Sequence, residues 1–351
     1  MISQCFVTLF LALPLFVVAD PIPSKNQFEA PASQEVKILR QFADFASDFN
    51  KLYANEAELH KRYSIFKSNL QKINRLNKEH RGKAEFGITK FADLTSEEFL
   101  QSYTSPINPQ VLERHQESIE HARKHSIEFI DDVNGQDENI HSINGKVYLP
   151  KYIDYRRKNA VTPIKDQGTC GSCWAFSTIA NVEGVNAKAT GKLLNLSEQV
   201  LLDCDKVNKA CRGGLMYPAA KELARLGGVL NSTDYPYVAK EGQCRFDKEK
   251  IAVKVSDARS IADDENEMAK ELIENGPLSV AVVVSENWQC SREVKHLNHA
   301  VTVVGYGNWL RQPYWLVKNS WGGDWGDKGY LKISRGRNSC AIKSYVSTAV
   351  L

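Results

Sequence analysis

The sequence predicts an α+β fold of two lobes preceded by a helical segment, on three observations. Residues 36–76 carry two stripes of large apolar side chains at three- and four-residue spacing, the signature of amphipathic helices. In the back half, helix-periodic segments come first and β-branched runs separated by glycine turns follow; that order suits segregated layers better than alternating βαβ units. Of eight cysteines, none falls between residues 6 and 169 and seven lie in 170–340, so any cross-linking is confined to the back half. At 351 residues the chain has length for more than one folding unit, and its 42% hydrophobic and 25% charged content is ordinary for a globular protein. A net charge of +3 does not point to nucleic acid or a membrane surface. The charge is uneven, with 17 basic against 20 acidic side chains in 1–148 and 28 against 22 in 149–351, which suits a front segment that docks on the back one.

Taken in order, residues 1–19 read as a secretory signal. An apolar run from Phe6 to Val18 ends in Val17-Val18-Ala19 before Asp20, although no Lys or Arg precedes it. A Pro-containing spacer follows. Val36, Leu39, Phe42, Phe45 and Phe49 then form one helical stripe, and Leu59, Tyr63, Phe66, Leu70, Ile73 and Leu76 a second, opened at Asn55 or Glu56 and closed by Gly82. Phe86 to Phe91 alternates like a short strand, and Thr95 with Glu98 forms a capping box. Residues 100–148 read as a linker, with weak helical spacing over Val111–Ile130. From about residue 149 the character is that of a compact domain. Its helices are expected over Cys173 to about Ala189, from Ser197-Glu198-Gln199 to Asp203, and over Met216–Leu226. Its strands are expected over Ile251–Val255, Leu278–Val284, Ala300–Val304, Tyr314–Lys318 and Tyr330–Ile333.

The chemistry centres on a polar, Gly-rich loop that runs into the first of these helices at Cys173. A helix N-terminus favours thiolate over thiol, and Gln167, six residues upstream, offers an amide donor beside the sulfur. Seven cysteines in a secreted domain leave one unpaired, a candidate reactive thiol. Only two histidines follow Cys173: His296, read as a solvated loop residue, and His299, which opens a strand. Asn319 ends another strand, next to Trp321, which could shield an Asn–His bond from water. Thiolate, imidazole and an orienting amide are what a thiol acyl-transfer site needs.

The loop QGTCGSCWAF, the strand NHAVTVVGYG and the segment KNSWGGDWGDKGY resemble the papain-like cysteine proteases. The resemblance runs from Leu149 to Leu351 through AVTPIKDQG, SEQVLLDCD, CRGGLM and YPY. The front half resembles the family's inhibitory pro-segment, with Glu58, Arg62, Phe66, Asn69, Ile73 and Asn77 at its spacing. That pattern and Leu215-Met216 resemble the cathepsin L branch. The resemblance implies a papain-like two-lobe fold, a helical lobe and an antiparallel β-barrel-like lobe, behind an α-helical pro-domain. The implied divisions are signal peptide 1–19, inhibitory pro-domain 20–99, linker 100–148 and peptidase domain 149–351. It implies Cys173 as nucleophile, held as an ion pair with His299 as general acid/base, Asn319 as the orienting residue, and Gln167 with the Cys173 N–H as oxyanion donors. Substrate would pair with Gly214 and lie beside Trp321. Its side chain two residues before the cut would enter a pocket of Leu215, Met216, Ala281, Leu297, Ala300 and Tyr345, apolar enough to predict a compact aliphatic preference. Implied disulfides are Cys170–Cys211, Cys204–Cys244 and Cys290–Cys340. No cofactor or metal is called for. Implied partners are peptide or protein substrates, the chain's own pro-segment and cystatin-like inhibitors, with no nucleic acid, no membrane and a monomeric state, in the secretory pathway, a lysosome-like compartment or outside the cell.

The chain also departs from that pattern. Between Ala281 and Cys290 it is about a dozen residues shorter, so a Tyr- and Gly-containing hairpin of the strand lobe is missing. Thr89 stands for an Asn, Tyr155 for a Trp, Arg212 for an Asn and Ala341 for a Gly. The missing hairpin keeps a second reading open, a catalytically impaired relative acting as a binding or inhibitory protein. Asn195 and Asn231 head glycosylation acceptor patterns, the first read as shielded by a helix cap and the second as an exposed loop. Four linker histidines, His115, His121, His125 and His141, suggest a segment that gains positive charge on acidification.

Overall fold

The computed structural model describes residues 34–81, 85–105, 107, 128–131, 140–143, 146–285 and 291–351. The front segment is helical as its periodicity requires, but one stripe is rotated. α1 (Gln34–Asp48) buries Ile38, Phe42 and Phe45, whereas Val36 and Leu39 are 40% and 48% exposed. The crossing helix α2 (Glu56–Glu79) decides which face is covered, because its Phe66 ring sits 5.3 Å from Phe42 and 5.0 Å from Phe45. Asn55 opens α2 by accepting the Glu58 N–H.

The spaced polar residues of α2 grip the chain that follows it. Arg62 bonds the carboxylates of Glu58 and Glu98 and the carbonyl of Asp93. Asn69 donates to the carbonyls of Ala92 and Leu94. Asn77 both donates to and accepts from the backbone of Phe86. That last pair corrects the strand expected over Phe86–Phe91: the Phe86 backbone is satisfied by a side-chain amide instead of a neighbouring strand, and no strand forms. Gly82 lies outside the described residues, and the last helical bond of α2 runs from His80 N–H to the Leu76 carbonyl. α3 (Ser96–Tyr103) carries the expected Thr95–Glu98 capping box.

The linker holds strands that its composition does not announce. β1 (Glu128–Asp131), β2 (His141–Ile143) and β3 (Lys146–Leu149) form a small sheet in which β3 lies between the other two, parallel to β1 and antiparallel to β2. β3 is anchored because Val147 and Leu149 are buried in the core of the strand-rich lobe. The helix expected over Val111–Ile130 falls outside the described residues as far as 127, and Glu128–Ile130 are strand.

The rest of the chain forms two lobes. One packs around α4 (Cys173–Thr190), α5 (Gln199–Cys204) and α6 (Met216–Leu226), with the short strand pair β5 (Val229–Leu230) and β6 (Ile251–Val253). α4 ends on Gly191 at φ 73° and α6 on Gly227 at φ 93°, where a left-handed residue without a Cβ closes the helix. The other lobe is a seven-stranded sheet in the order β11-β10-β9-β8-β12-β7, with β4 (Ile153–Asp154) on β9. These strands are β7 (Asp257–Ser260), β8 (Leu278–Val282), β9 (His299–Trp309), β10 (Gln312–Lys318), β11 (Tyr330–Ser334) and β12 (Val346–Val350). The helix α7 (Glu265–Asn275) packs against it. Its N-cap Asp264 accepts two first-turn N–H groups, and its register is set by Met268, Ala269, Leu272 and Ile273, four apolar residues among charges.

The shortened connection after Ala281 leaves this sheet whole. β8 is buried along its length, pairing with β9 and β12. Beyond it the side chain of Asn298 accepts the Val284 N–H and donates to the Val284 carbonyl, both at 2.8 Å, as a strand would. Ala341, where the related pattern has Gly, adopts φ 56°, a conformation that explains why a glycine suits that position. Among the described residues, no helix is long and apolar enough to cross a membrane.

Candidate active site

Cys173 is the first residue of α4 and lies at the boundary between the lobes, buried, as the free cysteine among the described residues. Its loop is fixed on both sides. Cys170 is bridged to Cys211, Gly171 donates to the Cys211 carbonyl, and the Trp174 indole donates to the Ala210 carbonyl at 3.1 Å. A Cβ on Gly171 would lie 2.5 Å from the Cys211 oxygen, so only glycine passes there. Cys204 is bridged to Cys244. Cys340 is disulfide-bonded, and its expected partner Cys290 lies outside the described residues.

His299 opens β9. Its ring is buried and stacks on Trp321 with centroids 4.4 Å apart. Nε2 lies 2.8 Å from Asn319 Oδ1, which also accepts the Ser320 N–H at 2.8 Å. An amide oxygen can only accept, so Nε2 carries the proton and the neutral ring has its lone pair on Nδ1. That Nδ1 is buried with no hydrogen-bond partner, the form a base needs. The Asn319–His299 bond sits under Trp321, itself fully buried against Trp325, as expected of a shield.

Gln167 is held on every polar atom. Its Oε1 accepts from Ser320 Oγ at 2.7 Å, its N–H bonds the Ser320 carbonyl, and its carbonyl accepts from the Tyr237 hydroxyl. Its Nε2 donates to the Cys170 carbonyl at 2.9 Å and reaches the carbonyl of Tyr103, at the end of α3, at 3.4 Å.

Residues after α3 therefore lie in the cleft. The N–H of Ser105 donates to the Asn298 carbonyl at 2.6 Å and that of Ile107 to the Leu297 carbonyl at 3.1 Å. Ile107 is buried in the cluster that contains Leu215, Met216, Ala281, Leu297, Ala300 and Tyr345, which brings together the six expected pocket residues. Burial holds the Tyr345 phenol above its usual range. Gly214 is packed on Trp174, and a Cβ there would meet the indole at 2.6 Å. Gly213 has Ser105 Oγ where its Cβ would be. Phe91 and Phe99 set their edges on Trp321 at 5.6 and 5.2 Å.

Asn298 as a backbone partner, Gly213 as the residue under Ser105, and Ser320 and Tyr237 as supports of Gln167 were not singled out from sequence, and Leu297 was read as a pocket side chain and not as a backbone acceptor. Only the adjacency of Asn298 and Ser320 to His299 and Asn319 signals them. His296 is exposed in the short turn Val294–His296, as expected. Asn195 is exposed, contrary to expectation, because the cap that was to shield it is made by the buried Ser197. Asn231 is only half-buried and not a free loop, since it bridges to Leu196 and accepts the Tyr235 N–H.

The covered site is electrically different from the expected ion pair. Burial pushes the Cys173 thiol up to about 11, against the opposing pull of the backbone N–H groups of Ala300, Trp174 and Cys173. Burial also pushes the His299 imidazole down to about 4, only partly offset by Asn319. Burial thus works against charge on both groups in the covered site.

A two-lobed fold with a thiol on a helix, an Asn-bound imidazole on the facing sheet and a helical cover is that of a thiol protease precursor. The comparisons place it: residues 149–350 match the papain family cysteine protease, residues 42–99 match the cathepsin propeptide inhibitor domain (I29), and the chain belongs to the papain family as a cysteine endopeptidase. It is 40% identical over 333 residues to cysteine proteinase 15A of Pisum sativum, covering 88% of this chain and 85% of that one. It is 37% identical over 340 residues to cathepsin F of Mus musculus, covering 94% and 69%. Among solved structures, the digestive procathepsin L2 proteinase of the Tenebrio molitor larval midgut superposes with a TM-score of 0.74 at 31% identity, covering 90% of this chain and all of that one.

Proposed function

We propose that this endopeptidase is made as an inhibited zymogen and cleaves peptide bonds through an acyl-enzyme on Cys173. His299 Nδ1 takes the thiol proton and later returns it to the leaving amine, while Asn319 holds the ring. Gln167 Nε2 and the Cys173 N–H stabilise the oxyanion. The observation that carries this reading is the Tyr103 carbonyl on Gln167 Nε2, a main-chain carbonyl resting where a scissile one would. From Tyr103 at the oxyanion donor to Ile107 at the apolar pocket, the cleft segment runs opposite to a substrate whose pocket residue precedes the cut, which supports inhibition over cleavage.

The proposed divisions are a signal peptide at 1–19, a pro-segment to 148 and a peptidase from 149, entering the secretory pathway for a lysosome-like compartment or the outside of the cell. Ile107, whose N–H donates to the Leu297 carbonyl and which is buried in the same apolar cluster as Met216 and Tyr345, supports a compact aliphatic side chain two residues before the cut. After acid activation, peptides with Val or Leu there should turn over faster than those with Phe or Arg; best turnover with Arg or Phe sinks the preference. An epoxide thiol-protease inhibitor should label Cys173, and Cys173→Ala should lose at least about 10³-fold in kcat/KM. An activated protein that takes no label and turns over nothing would support the binding-protein reading instead.

A further inference from the structure

Behind the candidate site, buried polar side chains close a network between the lobes. Thr162, 2% exposed, donates its hydroxyl proton to Glu183 Oε2 at 2.5 Å and accepts from Lys318 Nζ at 2.8 Å. The other oxygen of Glu183 accepts from Lys165 Nζ and the Leu196 N–H, both at 2.9 Å. Lys165 also bonds Glu198 at 2.6 Å. Glu183 and Lys318 stand on the two elements that matter. Glu183 lies on α4, ten residues after Cys173, and Lys318 ends β10 immediately before Asn319.

Buried charge costs heavily in this network. Desolvation lowers the Lys318 ammonium to about 8 and raises the Glu198 carboxyl to about 7. Buried ion pairs of this kind give little net stability over apolar residues of the same volume, so their use here calls for a positional explanation. α4 is separately tied to β9, the strand of His299, by Ser177 Oγ on the Val301 carbonyl at 2.7 Å. The Thr162 hydroxyl supplies the tie to the end of β10, the strand that leads into Asn319.

We infer that Thr162 is a positioning residue: its hydroxyl fixes the strand end bearing Asn319 against the helix bearing Cys173, and so sets the His299 ring relative to the thiol. The inference rests on the roles proposed above for those three residues. The Thr162 hydroxyl is buried and bonded to Glu183 and Lys318, neither of them a residue placed in substrate binding, so its loss should appear in kcat and not in KM.

The test uses the full-length zymogen, acid-activated, with Thr162→Val, Thr162→Ser, Lys318→Met and the Val/Met double variant, each first checked for a cooperative melt. Thr162→Val keeps the shape and removes both hydrogen bonds. Its kcat should fall by about tenfold or more with KM within about twofold, and Thr162→Ser should recover most of the loss. Lys318→Met should lose a similar factor, and the double variant no more than the worse single one, since both cut the same link. If Thr162→Val gives no folded zymogen, Lys318→Met carries the same kcat-only expectation. Wild-type kcat in Thr162→Val, a loss confined to KM, no recovery with Ser, or multiplying losses in the double variant would each overturn the inference. Turnover that survives Cys173→Ala would instead defeat the underlying catalytic reading, so the two failures are distinguishable.

Discussion

At the scale of single residues, burial acts against charge on both Cys173 and His299 in the covered site. His299 titrates ordinarily near 6.5 and is held to about 4 by burial. A depressed imidazole means that, as pH falls through 6.5, an uncovered His299 gains a proton that the covered one refuses until about 4. Stability of the covered state is therefore lost progressively across that window, and acid favours opening. In Cys173→Ala zymogen, which cannot cleave itself, Trp fluorescence should report uncovering of Trp321 between pH 6.5 and 4, and His299→Asn should flatten the change. The Cys173 thiol, held near 11, should be alkylated slowly in intact zymogen at pH 6 and rapidly after activation; equal rates would rule out that effect of burial. Tyr155 offers a simpler case. Standing where the related pattern has Trp, it donates its hydroxyl to the carbonyls of Leu272 and Ile273 near the end of α7. Tyr155→Phe should cost about 1–2 kcal/mol in denaturant titration, through carbonyls left without that donor.

At the scale of elements, local pattern is read correctly where the chain satisfies itself and incorrectly where a neighbour decides. The Thr95–Glu98 capping box and the helix ends at Gly191 and Gly227 are self-contained, and the sequence displays them, whereas the expected α2 stripe leaves Leu59 42% exposed. The strand expected at Phe86–Phe91 is absent because Asn77 takes the backbone bonds of Phe86. The hairpin of β9 and β10 turns on Leu310-Arg311 at φ 48° and 65°, with Trp309 opposite Gln312. Two-residue turns of this kind favour Asn-Gly, since a Cβ at positive φ costs about 1 kcal/mol or more per residue. Leu310 is 74% exposed, so little packing is at stake. Replacing the pair by Asn-Gly should stabilise the protein by roughly 1–2 kcal/mol in chemical denaturation without altering turnover.

At the scale of the whole molecule, the pro-segment is docked chiefly by aromatic burial. The acidic front and basic back suggest broad electrostatic attraction, yet the ion pair joining them among the described residues has the opposite polarity, Lys90 of the pro-segment on Asp166. The linker histidines expected to gain charge on acidification, His115, His121 and His125, lie outside the described residues, as does the side chain of His141. Phe91, Phe99 and Tyr103 instead form a ringed cluster over Trp321 and, through it, over His299. Phe99→Ala should weaken docking by about 2–3 kcal/mol, from the burial of a large aromatic. Lys90→Ala should weaken it by less than about 1 kcal/mol, as a partly exposed pair. Activation should therefore begin at a higher pH in Phe99→Ala than in Lys90→Ala; the reverse order would make the contact electrostatic.

The sequence by itself determined the family and the α+β class, and it offered Cys173, His299, Asn319 and Gln167 as the candidate set. Those features are written in contiguous motifs, where each residue's type is required by its own chemistry. Only the tertiary structure decided that β8 survives the shortened connection, because Asn298 replaces a strand partner at Val284 across fourteen residues of chain. It alone placed Tyr103 on Gln167, Ile107 on the Leu297 carbonyl and Thr162 between Glu183 and Lys318. Such contacts join residues far apart in sequence, and no local periodicity or spacing records them. It also added burial to the balance of the site: a helix N-terminus favours the thiolate, while desolvation shifts Cys173 and His299 the other way.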